Sequence, residues 1–342
     1  MTKRATMQDV ADAAGVSLST VDRILNRRAP VKRATMDHVL SAAERVGYHG
    51  VPSIQGSLSD NAPPATFGFL LNGQERALYR DLAGMLAART RASTVIHGRP
   101  IFHHLSHLDP TETADAIYQL GKTCDAIGIV AVDTPETNAA VEALTARGIA
   151  VFTLLSDLST PKRTAFIGAD GRKMGRGAGW MIDRLTPRQG TAAVLVGSDA
   201  YRAHLAYRHG FRSYLADAGS PLRIIEAGAT LESDALAAEL TRKLLRTTPD
   251  LVSILVAGGG ISGVMQELRA AGRADLVLVG TELSSEVDRA LSEHLVDAVL
   301  SHPAAEVADH VIDLMERAVL AGSRAKLEDQ IVPIAIRISE TV

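Results

Sequence analysis

Thr6-Met-Gln-Asp-Val10-Ala11-Asp-Ala-Ala14-Gly15-Val-Ser17-Leu-Ser-Thr-Val21-Asp-Arg23-Ile24-Leu-Asn26 reads as two short helices joined by a tight turn. Thr6 supplies a side-chain oxygen to cap the first helix, whose apolar face is Met7, Val10, Ala11 and Ala14. Gly15 ends it in a turn conformation that a residue without Cβ reaches at low cost. Ser17 caps the second helix, and Val21, Ile24 and Leu25 recur at helical spacing. Ala11 is small enough to let that helix approach closely, and Val16 closes the miniature core. A third helix is expected from about Arg33 to Val46, with Met36, Val39, Leu40 and Ala43 inward, ending at Gly47. Two helices separated by a turn of three or four residues form a helix-turn-helix, whose second helix can enter the major groove of DNA. The side chains it would present are Ser17, Leu18, Ser19 and Thr20, with Arg23 one turn on. Hydroxyls can bond phosphates or base edges, and arginine can read guanine.

Charge supports that reading. The 342 residues hold 36 Lys and Arg against 39 Asp and Glu, a net −3. Residues 1–50 carry eight basic and five acidic groups, or +3, which leaves −6 for the rest. A basic end on an acidic body directs a polyanion to the end alone. At ~150 residues per domain the length suggests about two domains. The single Cys124 excludes a disulfide framework or a thiolate metal cluster. No apolar run approaches the ~18 residues of a membrane helix, and the start lacks a signal-peptide hydrophobic region, so a soluble cytoplasmic protein without membrane partners is expected.

The stretch from Thr6 to Asn26, continued by Val31 through Tyr48 with Ala42-Ala43-Glu44-Arg45-Val46-Gly47-Tyr48, resembles the headpiece of the lactose-repressor (LacI/GalR) family of bacterial transcription regulators. The resemblance implies that Leu18, Ser19 and Arg23 face bases and that Thr6, Ser17, Thr20 and Asn26 touch phosphates. Asp22 departs from the family's usual serine, and is free to bond Arg23 or Arg27. Residues 51–65 form the linker after the 1–50 headpiece. There the family has a hinge helix that wedges a leucine into the minor groove. Pro52 and Gly56 weigh against a helix at this point, and Leu58 stands about one residue from the wedge position.

From Thr66 onward apolar strand-like runs alternate with helical patterns. The runs are 67–71, 126–132, 149–154, 192–196, 222–225, 251–256, 276–279 and 296–300, with a final strand over 331–338. Helical patterns cover 137–146, 208–218, 235–245, 284–291 and 304–319. Unbroken apolar strands between helices indicate parallel sheets covered on both faces, which bind ligands at the carboxyl ends of their strands. Residues 66–342 resemble the type I periplasmic sugar-binding fold, two α/β lobes closing on a ligand. The strongest local matches are 153–157, 168–176, 257–260, 280–282 and 297–300. The resemblance places lobe 1 at about 66–166 and 303–324, and lobe 2 at about 168–300 and 327–342. Its crossovers fall near Gly168, His302 and Lys326.

Candidate ligand groups follow the strand ends: Asn72 with Tyr79, Asp133, Ser156, Asp157, Glu282 and, at a crossover, His302. Carboxylates suit polyhydroxylated ligands because each can accept a pair of hydroxyl hydrogen bonds. Relatives often place an arginine three residues before a Gly-Phe pair. Here Tyr207 stands three before Gly210-Phe211, with Arg202, His204 and Arg208 nearby as substitutes.

Gly258-Gly-Gly260-Ile-Ser-Gly263 also fits the G-x-G-x-x-G dinucleotide pattern, with Glu282 at the end of the next strand. This leaves a dinucleotide-sensing regulator or an NAD-dependent enzyme as an alternative, and a transport receptor as another. Against them, the pattern usually opens its fold, a receptor would not need residues 1–50, and no catalytic constellation is visible. His103, His104 and His107 read as a strand end and loop, not a metal site. The sequence therefore points to a non-enzymatic, cofactor-free regulator. As a homodimeric repressor it would bind palindromic double-stranded operator DNA, its affinity controlled by a sugar- or polyol-like effector between its lobes.

Overall fold

The computed structural model describes residues 5–26, 28, 31–60, 62–186, 189–322 and 327–342, without side-chain detail for Arg33, Gln55, Gly56 and residues 58–60. Lys326 and Arg27 lie outside the described residues, as does the side chain of Leu58. The chain divides into two compact units, residues 1–66 with 88–100 and residues 67–87 with 101–342.

In the first unit, α1 (Met7–Ala14), α2 (Leu18–Asn26) and α3 (Arg33–Arg45) follow the apolar spacing. Thr6 closes a capping box with Asp9: its hydroxyl accepts from the Asp9 N–H at 3.3 Å, and the Asp9 carboxylate accepts from the Thr6 N–H at 2.7 Å. Gly15 sits at φ 60°, in the left-handed region, and its N–H returns to the end of α1. Val10, Ala11, Val21, Ile24, Met36, Val39 and Ala43 form one buried core.

The linker corrects the expectation drawn from Pro52 and Gly56, because α4 (Val51–Asp60) is helical. Pro52 occupies the second helical position, where an absent N–H costs no intrahelical bond. Ile54 is buried in the same core, and the Ser57 hydroxyl donates to the Ile24 carbonyl at 2.5 Å. These tertiary contacts outweigh the weak local propensity.

The strands form two six-stranded sheets. One is built from β1 (Pro64–Leu71), β2 (His97–His104), β3 (Ala126–Ile129), β4 (Ala150–Leu154), β5 (Ala165–Ala169) and β11 (Gln330–Val332). Its order is β11-β5-β4-β3-β1-β2. The other holds β6 (Thr191–Val196), β7 (Arg223–Ala229), β8 (Leu251–Ala257), β9 (Val277–Gly280), β10 (Ala298–Ser301) and β12 (Ala335–Arg337), in the order β12-β10-β9-β8-β6-β7. Every residue of β3, β4, β6, β8, β9 and β10 is buried, as two-faced cover requires. The helices are α5 (Ala77–Ala92), α6 (Pro110–Leu120), α7 (Pro135–Ala146), α8 (Gly171–Leu185), α9 (Arg202–Asp217), α10 (Asp234–Thr247), α11 (Ile261–Ala271), α12 (Ser285–Ser292) and α13 (Ala304–Ala321).

The final strand differs from expectation. Residues 331–338 are two strands: β11 runs parallel to β5 in the first sheet, and β12 runs antiparallel to β10 in the second. The third crossover is therefore at Pro333-Ile334, after the first lobe has received an edge strand. Proline has no N–H for a ladder, so the chain leaves one sheet there.

The glycines of α8 have a packing role. A Cβ on Gly175 would stand 2.0 Å from the Tyr207 carbonyl oxygen, and one on Gly210 would stand 2.2 Å from that of Arg172. The two glycines let the α8 and α9 backbones touch. Gly175→Ala is expected to cost about 1–3 kcal/mol by overpacking, read as a lower urea midpoint at unchanged slope. Wild-type stability in that variant would contradict the contact.

Candidate DNA interface and effector cleft

Ser17, Leu18, Ser19, Arg23 and Asn26 are exposed on or beside α2, and Thr20 is half-buried. The Ser17 hydroxyl lies 2.8 Å from that of Ser19 and 2.9 Å from that of Thr20. Three hydroxyls thus cluster at a helix N-terminus, where the dipole favours phosphate oxygens. Leu18 is 43% exposed, so its apolar side chain stands at the surface beside these hydroxyls. Asp22 does not hold Arg23. Its carboxylate accepts from Asn26 Nδ2 at 2.6 Å and from Arg28 Nη1 at 3.1 Å. Arg23 pairs with no acid among the described residues and projects from the helix. Thr6 is exposed, although its hydroxyl already serves the α1 cap.

The second site lies between the two sheets of the larger unit, at the carboxyl ends of their strands. Asn72 follows β1 and is buried. Its Nδ2 donates to Tyr79 Oη at 3.0 Å and to Tyr201 Oη at 2.5 Å, while its Oδ1 is buried with no partner. Arg76, four residues on, reaches from the first lobe to two acids of the second. Its Nη1 pairs with Glu232 Oε2 and its Nη2 with Glu282 Oε1. Glu232 follows β7, and Glu282 follows β9. The three side chains are only 13%, 7% and 15% exposed. Burial alone would lower the Arg76 pKa, but Glu282 and the Tyr79 ring beneath it raise it overall, so the guanidinium keeps its charge. Leu231 and Glu232 hold positive φ angles of 49° and 65°. Non-glycine residues there are strained, and such strain concentrates at functional sites.

Deeper in the cleft, His302 Nδ1 accepts the Ala169 N–H at 3.0 Å, so Nε2 carries the proton and donates to Tyr207 Oη, also at 3.0 Å. The Tyr207 hydrogen then points to whatever fills the cleft. His204 Nδ1 accepts the Ser198 N–H at 3.0 Å, and its Nε2 faces Glu232 Oε1 at 3.9 Å. Burial pushes the pKa of His302 down to about 4 and that of His204 to about 3. Burial also raises those of Tyr79, Tyr201 and Tyr207, which remain protonated donors. A cavity of about 30 Å³ lies among Tyr79, Ser156, Tyr201, Tyr207, Glu282 and His302. A larger one of about 670 Å³ opens on the other side of Arg76, between residues 105–109 and 231–234.

Both histidines are neutral in the fold yet take protons in the unfolded chain below pH ~6.5, so acidification favours unfolding. Stability is expected to fall as pH drops from about 6.5 toward 4, by up to about 3 kcal/mol for His302 alone. Urea titrations across that window in wild type and His302→Gln test this. A profile equally steep in the variant would contradict it.

Asn72, Tyr79, Ser156, Tyr207, Glu282 and His302 thus lie together, Asn72, Ser156 and Glu282 just past strand ends, Tyr79 on α5, Tyr207 on α9 and His302 at a crossover. Asp133 and Asp157 are turned elsewhere. Asp133 Oδ1 accepts from Asn138 and from both the N–H and hydroxyl of Ser159, and its Oδ2 lies 3.5 Å from Arg202. These bonds hold its pKa down against its partial burial. Asp157 takes a bidentate Arg163, which also grips Asp329. Of the substitutes for the family arginine, Arg202 lies against Asp133 and Arg208 pairs with Asp199 and Glu226, leaving His204 beside Tyr207 at the cleft. Arg76, Glu232 and Tyr201 were not singled out from the sequence. Arg76 and Glu232 do lie just past strand ends, the signal that found Asn72.

The glycine run is occupied by the protein itself. A Cβ on Gly259 would meet the Arg76 guanidinium at 2.4 Å, one on Gly258 would meet His204 at 2.7 Å, and one on Gly263 would strike the Asp234 carbonyl at 1.9 Å. Glu282 is engaged by Arg76. These contacts account for the dinucleotide-like pattern by internal packing. No group of three metal-ligating side chains occurs among the described residues. His104 lies on β2, its Nδ1 3.0 Å from the Asn72 carbonyl, and His107 lines the outer cavity.

The description "Bacterial regulatory proteins, lacI family" matches residues 6–50, and "Periplasmic binding protein domain" matches residues 87–323. The HTH-type transcriptional regulator GntR of Escherichia coli K12 is 23% identical over 227 residues, 66% of this chain and 62% of GntR. The maltose regulon regulatory protein MalI of the same organism is 33% identical over 100 residues, 28% of this chain and 29% of MalI. The chain thus spans about three-fifths of GntR's length and less of MalI's. Among solved structures, the glucose-galactose binding protein GanP of Geobacillus stearothermophilus superposes with a TM-score of 0.71 at 17% identity, covering 80% of this chain and 98% of GanP. A transporter solute-binding protein of Bacillus halodurans with bound myo-inositol gives 0.71 at 17%, covering 82% and 96%. At such identities these two report the fold alone.

Proposed function

We propose, from the premise that this chain belongs to the lacI family of bacterial regulatory proteins and carries a periplasmic-binding-protein domain, that it is a transcriptional repressor controlled by a sugar- or polyol-like effector. Its homologues are transcriptional regulators and not enzymes. In this reading it works in the cytoplasm as a homodimer on a palindromic operator, because one headpiece makes too few base contacts for specificity. Leu18, Ser19 and Arg23 would read bases, with Thr6, Ser17, Thr20 and Asn26 on phosphates.

The effector would bind among Asn72, Tyr79, Ser156, Tyr201, His204, Tyr207, Glu282 and His302. Asp133 and Asp157 would shape the rim through their own hydrogen bonds. The observation that carries the reading is Arg76, a first-lobe side chain paired with two second-lobe carboxylates. A ligand entering there must exchange bonds with groups from both lobes, so it shifts the lobe equilibrium by its differential affinity.

The test is selection of duplexes from a random pool by the full chain, followed by operator titration with a panel of sugars and polyols. A palindromic site released by at least one compound is the expected result. Enrichment of no sequence, or a site that none of the panel affects, would refute the proposal.

A further inference from the structure

The charges in the cleft do not balance. The Glu232 and Glu282 side chains are only 7% and 15% exposed, and one guanidinium answers them. His302 contributes no positive charge, since its Nδ1 accepts the Ala169 N–H, and His204, buried behind Glu232, is held neutral by desolvation. One negative charge therefore remains inside. The outer cavity adds Glu75, Asp109 and Asp234 to its wall, with no Lys or Arg there besides Arg76. Asn72 supplies a second, independent signal. It is 4% exposed, it borders that cavity, and its Oδ1 is an acceptor with no donor. A buried acceptor and an uncompensated carboxylate ask for the same thing, a ligand rich in donors and carrying positive charge.

We propose that the effector is a protonated amino sugar or amino polyol, its ammonium held by Glu232 and Glu282 and one of its donors by Asn72 Oδ1. This rests on the polyhydroxylated-effector reading and narrows it. A neutral sugar leaves the surplus charge in place. A sugar acid adds a second, and can be answered only by drawing Arg76 off both glutamates. An ammonium cancels the surplus and makes charge-assisted bonds about twice as strong as those of a hydroxyl. Arg76 engages one oxygen of each carboxylate and the Gly259 N–H donates to the other oxygen of Glu232, and a second cation on the same pair is favoured only because the acids outnumber the guanidinium.

Matched trios test the inference on the full chain at neutral pH, by thermal shift at about 10 mM and then calorimetry. D-glucose, D-glucosamine and D-gluconate form one trio; D-galactose, D-galactosamine and D-galacturonate form another; myo-inositol and an aminocyclitol extend the panel. The amino member of at least one set is expected to bind about tenfold tighter than its neutral counterpart. That preference should fall toward unity in Glu232→Gln and in Glu282→Gln, each of which leaves Arg76 one partner and neutralises the cleft. A neutral or acidic member binding best, or an amino preference surviving in both variants, overturns this inference and leaves the polyol reading standing. Binding by no member overturns both.

Discussion

Arg76→Ala is expected to be the most destabilising single change in the cleft, costing about 3–5 kcal/mol of folding stability. The residue removed is not a surface partner. Its guanidinium stands between two carboxylates that are 7% and 15% exposed, and without it two like charges face each other away from water. Breaking a buried pair from one side leaves the full desolvation penalty of the other side. Replacing all three members avoids that penalty, so the triple variant Arg76→Ala, Glu232→Gln, Glu282→Gln should recover most of the loss. Urea denaturation of the single, double and triple variants closes the cycle and gives the coupling directly. A single variant within about 1 kcal/mol of wild type would mean that the cluster is solvated, and the link between cleft chemistry and lobe arrangement would fail with it.

Arg23→Ala is expected to lose about 1–3 kcal/mol of discrimination at one base position, a factor of roughly 5–150, while effector affinity stays unchanged. Arg23 is exposed on α2, and Asp22 is occupied by Asn26 and Arg28. No acid among the described residues holds Arg23 back from a guanine edge. Fluorescence anisotropy on a selected operator and on its scrambled sequence, at one salt concentration, separates base reading from phosphate attraction. Equal weakening on both duplexes would make Arg23 a phosphate contact. Loss of effector binding alongside would contradict the division into two modules.

The sequence disclosed the headpiece almost completely, because its information is local. Thr6, Gly15 and Ser17 act within a few residues of themselves, and the apolar positions keep a helical period. α4 was hidden because its stability comes from Ile54 and Ser57 packing on α2, which no window across Pro52 and Gly56 registers. β2 was hidden for the opposite reason. His97-Gly-Arg-Pro-Ile-Phe-His-His104 lacks an apolar run, and its residues are exposed or only partly buried. The split of 331–338 depends on which sheet edge each half meets, a tertiary choice.

In the cleft, position after a strand was a sound guide to Asn72, Ser156 and Glu282, since carboxyl strand ends converge there. It could not separate Asp157 from them, because the partners that draw Asp157 away, Arg163 and Asp329, are brought in by folding. Nor could it single out Arg76 or Glu232, whose meaning lies in a pairing across 156 residues of chain.

In the proposed regulator the cleft and the operator are thermodynamically linked. Linkage is reciprocal, so the factor by which an effector changes operator affinity must equal the factor by which operator changes effector affinity. The direct measurement is the pair of titrations on the full chain, operator binding with saturating effector and without, and effector binding with saturating operator and without. Equal factors are expected, of about 5–150-fold and in the same direction. Two independent affinities, each unmoved by the other ligand, would contradict it.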